Sequence, residues 1–283
     1  MVTVRLMGGL GNQLFQIATF LAFSEKYGFN LSVDLCAFKA GSQHGGYRLK
    51  FLSLPNFEHS DRRSRGFQLL VKLINRFPAF SRKFNSIVHE KYFKYRFLHS
   101  GNGYFVGYWQ NSAFFDCIQN DLKRWVVPEK ISHSANVWRK EIGDHCSVAL
   151  HVRRGDYLSD RALKNHGICS LDYYRNAISH INESISSPKF YVFSNDPDWV
   201  NENIISLFNE KNFSIVTSLT QEEDLWLMAQ CKHNIIANSS FSWWGAYLAN
   251  NTEQLVIAPT PWYDKKQRSS EDPCLEHWIR LEK

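Results

Sequence analysis

In the second half of the chain, short apolar runs alternate with stretches of helical periodicity. Residues 147–152, 190–193, 213–217, 233–237 and 255–258 read as strands, while 171–185, 222–231 and 241–249 read as helices and Pro197 opens another at its first turn. That alternation predicts an α/β fold with a doubly wound parallel sheet, whose ligands collect beyond the carboxyl ends of the strands. The first half opens in the same way, with a strand at 2–6, a glycine turn, an amphipathic helix at 14–27 and a strand at 31–35. Residues 61–109 are less regular and predict an elaboration of this lobe. A polar, helix-like stretch carrying Pro128 and Gly143 precedes the next strong strand, so the pattern predicts two lobes, 1–145 and 146–283.

The composition agrees with two folded lobes. At 283 residues the chain exceeds what one core usually organises, and 44% hydrophobic with 21% charged residues excludes a disordered, collagen-like or coiled-coil protein. No run approaches the roughly 18 apolar residues of a membrane span. The opening residues read directly as a strand with no leader-like pattern, and six scattered cysteines form neither a disulfide framework nor a zinc spacing, so reduced thiols in the cytoplasm are expected.

Charge changes the picture in one place. The chain carries +6 overall, yet residues 61–100 hold ten Lys/Arg against two acids, leaving the remainder slightly acidic. Within that segment apolar residues from Phe67 to Phe80 interleave with Lys72, Arg76, Arg82 and Lys83. The pattern fits a core-facing helix with a solvated basic face, and it also fits a helix resting on anionic lipid, which would make the protein peripheral on the inner membrane. No nucleic-acid-binding motif accompanies the basic residues, so no nucleic-acid partner is expected.

Four motifs carry chemistry. After the first strand comes Gly8-Gly9-Leu10-Gly11-Asn12-Gln13, a glycine turn leading into a helix, where backbone N–H groups can close on an anion or sugar. It is neither a dinucleotide fingerprint nor a P-loop, and a merely tight turn would look the same. His151-Val152-Arg153-Arg154-Gly155-Asp156-Tyr157 ends the strand that opens the second lobe, and its paired guanidinium forks can grip a diphosphate. The bland alternative is a salt-bridged strand end. Ser194-Asn195-Asp196-Pro197-Asp198 follows the next strand. Its two acids resemble a metal motif, but an acid in a first helical turn is favoured anyway and no other carboxylate cluster joins them, so no metal site is assigned. Asn238-Ser239-Ser240-Phe241-Ser242-Trp243-Trp244-Gly245 spans a strand end and a helix start, with hydroxyls suited to a phosphate or to simple N-capping.

Taken in order over nearly the whole chain, these four motifs resemble those of the bacterial α-1,2-fucosyltransferases of glycosyltransferase family 11. The resemblance implies a GT-B-like fold of two Rossmann-like lobes with the donor site in the cleft, mainly in the C-terminal lobe. It implies GDP-β-L-fucose as donor, inversion at the anomeric carbon, and the 2-hydroxyl of a galactose as acceptor in an oligosaccharide such as an O-antigen repeat unit, free or lipid-linked. No cofactor and no metal are implied. Residue by residue, Arg153 is similar to the arginine that holds the leaving β-phosphate, and Asn12 to the glycine-loop asparagine near the scissile bond, flanked by Gly9 and Gly11. His151 and Asp224 are similar to the guanine-recognising pair. Ser240 or Ser242 corresponds to a serine on the β-phosphate, in a turn with Ser239 and Phe241. Arg154, Asn195 and Asp196 complete the expected donor contacts.

An attacking hydroxyl calls for a general base, and Asp156, Asp160 and His166 lie in or just beyond the arginine loop; Asp156 is preferred, although it could equally orient an arginine. Tyr104, Tyr108 and Trp109 could stack on sugar faces, with core packing the alternative for at least one of them. Two other readings stand beside this one: another GDP-sugar-dependent glycosyltransferase, or a non-catalytic nucleotide- or glycan-binding module.

Overall fold

The first strand, β1 (Val2–Arg5), is buried along its whole length, as only a central strand in a sheet covered on both faces can be. The structure is a computed structural model and describes residues 1–38, 45–60, 64–84, 86–155, 163, 166–208, 212–264 and 272–283. The chain divides into two compact units, Met1–Val126 and Val127–Lys283.

In the first unit β1 leads into α1 (Leu10–Tyr27), followed by β2 (Leu31–Asp34), β3 (Glu58–His59), α2 (Arg65–Arg76), β4 (Ile87–His89), β5 (Gly103–Val106) and α3 (Gln119–Trp125). The strands pair in parallel in the order β3-β2-β1-β5-β4. The chain moves outward from β1 through β2 and β3, then crosses to the other side, so the order reverses between β1 and β5. In a doubly wound sheet that reversal opens a crevice at the carboxyl edge.

Beside it lies a buried polar cluster. Arg5 reaches Gln68 at 2.6 Å and the Tyr104 hydroxyl at 3.4 Å. Asp34 accepts from that hydroxyl, from the Cys36 N–H at 2.7 Å and from Gln68 at 3.3 Å, with Arg5 3.9 Å away. Burial alone would raise the Asp34 carboxyl; the hydrogen bonds outweigh it and hold the group below its ordinary value.

The second unit contains α4 (His133–Gly143), β6 (Cys146–Val152), α5 (Leu171–Ser184), β7 (Pro188–Ser194), β8 (Phe213–Ile215), α6 (Gln221–Gln230), β9 (His233–Ile235), α7 (Ser240–Tyr247), β10 (Val256–Thr260) and β11 (Ile279–Glu282). Its strands are also parallel, in the order β11-β10-β9-β6-β7-β8. Alternation along β6 serves two layers. Val148, Leu150 and Val152 pack into a core with Tyr173, Ala177 and Ile181 of α5. Ala149 faces the opposite layer, with Ala135 and Ile142 of α4 and Trp226, Leu227 and Met228 of α6.

The division falls at Val126, earlier than the boundary at 145 that the pattern suggested. The polar stretch before β6 is an amphipathic helix that belongs to the second unit. Ser132 caps α4, and Glu223, which closes a capping box with Thr220 at the start of α6, also accepts the Ser132 N–H at 2.7 Å. One carboxylate thus ties two helix starts together.

Candidate active site

Each unit presents its candidate residues at the reversal point of its own sheet. In the first, Gly8 adopts φ +80°, a conformation open to glycine, and a side chain there would press on the Asn12 amide, whose nitrogen lies 2.7 Å from a Cβ at that position. Gly9 is the N-cap of α1 and Gly11 is buried in its first turn, with no side chain capping the helix. The Asn12 carbonyl oxygen accepts from Gln110 at 2.7 Å, which turns the Asn12 amide nitrogen toward the glycine loop as a donor. Two buried glutamines hold the loop. Gln13 donates to Gly8 and Gly46 and accepts from Arg48, while Gln16 accepts the Met7 N–H and donates to Met7 and Gly107.

In the second unit the order reverses between β6 and β9. The register aligns Val152 with Ser194 of β7 and Leu150 with Ile235 of β9. Arg153, Asn195 and Asn238 therefore leave the sheet at one level, on three adjacent strands. His151 lies on the α6 side of β6, two residues beyond Ala149, with its ring 5.6 Å from Phe241. Burial, with the Arg153 charge close by, pushes His151 down to about 3, so the imidazole is neutral, and among the described residues its buried Nδ1 has no hydrogen-bond partner. On α6, burial followed by Glu223 and Glu222 pushes Asp224 up to about 7.

The two arginines separate. Arg154 places its guanidinium 4.1 Å over the Trp199 ring and 3.8 Å from Asp196, and its backbone N–H donates to Asn195 at 3.1 Å. A Cβ on Gly155 would press on the Asn195 amide nitrogen. Asn195 and Asp196 therefore build the arginine loop, Asp196 also capping the turn of helix at Pro197–Trp199. Asp196 serves as that cap and Asp198 lies in the first turn; among the described residues no group of three or more His, Cys, Asp or Glu is placed to hold a metal ion.

The serine-rich turn sorts in the same way. Ser239 caps α7 by accepting the Phe241 N–H, and Ser242 is fully buried, donating to Ala237 and Ser239 carbonyls. Trp243 and Trp244 are core residues, and Ser240 and Phe241 alone in that run of the helix stay half-buried. Of the two serines proposed for a phosphate, the fold commits Ser242 to the backbone and leaves Ser240 at the helix N-terminus.

Asn238, which opens the serine motif but was given no role of its own there, is the hub of the turn. It donates to the carbonyls of His166, Gly167 and Trp262 and accepts from Cys169. Its place three residues beyond β9, level with Arg153 in the register, was the available signal. His166 is held by that contact and by Lys283, with its ring 5.4 Å from Tyr263. Asp156 and Asp160 lie outside the described residues. Trp109 and Tyr104 do not offer faces to a sugar. Both are buried, Trp109 among Phe20, Phe93 and Phe105, and Tyr104 with its hydroxyl on Asp34; Tyr108 is half-buried.

The sequence profile of Glycosyl transferase family 11 matches residues 1–282. An alpha-1,2-colitosyltransferase of Escherichia coli is 40% identical, covering 100% of this chain and 99% of its own length. The O-antigen biosynthesis glycosyltransferase WbnK of Escherichia coli is 30% identical over 98% of this chain and 99% of its own. A more distant relative, galactoside alpha-(1,2)-fucosyltransferase 2 of Mus musculus, is 27% identical over 87% of this chain and 68% of its own. Among solved structures, NodZ alpha-1,6-fucosyltransferase co-crystallised with GDP superposes with a TM-score of 0.54 at 12% identity, covering 88% of this chain and 92% of that one, so the two parallel α/β units make up a GT-B-like fold.

Proposed function

The chain belongs to glycosyltransferase family 11, and on that footing we propose that it is an inverting α-1,2-fucosyltransferase, moving L-fucose from GDP-β-L-fucose to the 2-hydroxyl of a galactose in an oligosaccharide such as an O-antigen repeat unit. The observation that carries the reading is the level set of strand-end residues at the reversal between β6 and β9: Arg153, beside a helix that begins at Ser240. The acceptor oxygen attacks the anomeric carbon from the face opposite the leaving group, and the C–O bond to the β-phosphate breaks. Negative charge then grows on the departing diphosphate. Arg153 and the α7 N-terminus with Ser240 meet that charge as fixed positive groups, so the reaction needs no metal ion or other cofactor. Arg154, fixed over Trp199 and Asp196, shapes the loop that aims Arg153. Asp156, Asp160 and His166 remain the candidates to take the acceptor proton. In the first unit, Asn12 is the residue assigned to the reaction.

Asp224 and His151 take the guanine. A carboxylate accepts from the N1–H and the 2-amino group, and this requires Asp224 ionised. With its acid pushed up to about 7, Asp224 is half protonated near neutrality. GDP affinity is expected to rise as pH increases through 7, because binding selects the carboxylate. Isothermal titration on either side of pH 7 checks this, and Asp224→Asn should bind about tenfold more weakly with the pH dependence removed. An unchanged pH dependence in Asp224→Asn would remove the assignment.

A second reading, transfer of colitose, has the 40% identical relative in its favour. Colitose is L-fucose without its 3-hydroxyl, so the readings differ in whether the sugar pocket hydrogen-bonds that group. A pocket built to bond a hydroxyl rejects the deoxy analogue steeply, whereas an apolar pocket rejects the extra hydroxyl only by about a hundredfold. The deciding experiment compares kcat/KM for GDP-fucose and GDP-colitose with EDTA present, across galactose-terminated acceptors, with product linkage read by NMR. Preference for GDP-fucose with an α-1,2 product is expected. Preference for GDP-colitose would establish the second reading, and dependence on added metal would overturn the proposed charge stabilisation.

A further inference from the structure

Helix α2 solves its packing with one stripe and leaves the other in solvent. Phe67, Leu70, Val71 and Ile74 pack into a core with Met7, Ile87, Tyr104 and Val106. At 100° per residue, Arg65, Leu69, Lys72, Leu73 and Arg76 lie on the opposite side. Leu69 is 65% exposed and Leu73 40%. The chain then turns through Pro78–Lys83, where Phe77 and Phe80 are 52% and 40% exposed with rings 6.4 Å apart. Arg76 lies 5.7 Å over the Phe77 ring and Lys83 5.3 Å over Phe80, so cations border the apolar groups at close range.

A solvated helix face has no use for two leucines four residues apart followed by two exposed phenylalanines. We infer that the face formed by α2 and residues 77–83 is a docking surface for an anionic phospholipid bilayer. Leu69, Leu73, Phe77 and Phe80 would enter the boundary between headgroups and acyl chains, while Arg65, Lys72, Arg76, Arg82 and Lys83 engage lipid phosphates. Charge decides against the other occupants. A second copy meeting this face across a two-fold axis would set cations against the same cations. Nucleic acid would satisfy the cations but gives exposed leucines nothing to bury against. Among the described residues no helix is long and apolar enough to cross a membrane, so the contact is with the surface.

The inference is independent of the donor and acceptor. The full chain is sedimented with vesicles of phosphatidylcholine, alone or mixed with phosphatidylglycerol. Binding to the mixed vesicles only, weakened by salt, is expected. At roughly fivefold per cation near the surface, Lys72→Gln with Arg76→Gln should weaken it by about thirtyfold. Leu69→Ser with Leu73→Ser should weaken it by about tenfold or more. Both pairs lie on the exposed face, so circular dichroism and transfer to a soluble acceptor should match the parent. Equal association with both vesicle types, or parental binding by both variants, would overturn the inference. So would a concentration-dependent dimer in sedimentation velocity that the leucine pair abolishes, because a second copy would then be the occupant.

Discussion

Arg153→Ala is expected to lower the rate of sugar transfer by about a hundredfold or more in a protein that still folds, the size of effect seen when one fixed group facing developing charge is removed. The argument is positional. Arg153 is the first residue beyond β6, at the reversal of the sheet, level with Asn195 and Asn238. In the proposed reaction Arg153 meets a charge that appears only as the sugar–phosphate bond breaks, so the loss should fall on kcat at saturating donor more than on GDP affinity. Arg153→Lys should recover part of the rate, since an ammonium keeps the charge without the two-pronged hydrogen bonding. Arg154→Ala provides the contrast: its guanidinium is engaged by Trp199 and Asp196, so a smaller loss through loop position is expected. Near-parental turnover by folded Arg153→Ala would remove this residue from the mechanism.

The largest effect on stability is expected at Asp34. Asp34→Ala takes away the acceptor for Tyr104, Gln68 and the Cys36 N–H, and among the described residues it leaves the buried Arg5 guanidinium with the neutral Gln68 and Tyr104 as partners. Breaking a buried pair from one side costs about 3–5 kcal/mol, because the surviving charge is left uncompensated. Denaturant unfolding of Asp34→Ala should show that loss, and the double replacement with Arg5→Met should recover much of it. The sign with pH follows from the same cluster. The Asp34 carboxyl is held below its ordinary value of 3.8 in the folded protein, so its contribution is complete above that value and is lost as pH falls through the folded one. Below about pH 4 the stability of the parent should therefore fall more steeply than that of Asp34→Ala. Parallel acid curves would show that the carboxylate contributes nothing of this kind.

How far these sites could be read from the sequence depended on length and on burial. Long apolar runs such as β6, β7 and α5 were legible because a buried strand or helix has few alternatives. The strands β3, β4 and β11 were not, being two to four residues long, and β5 sits among glycines and polar turns. The lobe boundary was misplaced because α4 is polar on average, although its apolar stripe joins the core of the second unit. Within the site, the motif containing three serines and two tryptophans was legible as a helix start, but helix phase decides which serine is free. Ser242 lies three residues past the cap, where its hydroxyl meets the carbonyls of Ala237 and Ser239. For Tyr104 and Trp109 the sequence left stacking on a sugar and core packing both open, because aromatic composition does not reveal whether a ring covers a core or a ligand.

The two candidate loops are held by different kinds of bond. Arg154 and Asp196 brace the arginine loop with opposite charges, an attraction that dissolved ions weaken. The glycine loop is stitched to α1 and to the ends of neighbouring segments by the side-chain amides of Gln13, Gln16 and Gln110. Amides neither titrate nor attract counterions. The form of the glycine loop is thereby insulated from the ionic composition of its surroundings, and of these two loops it is the charged one that salt can loosen.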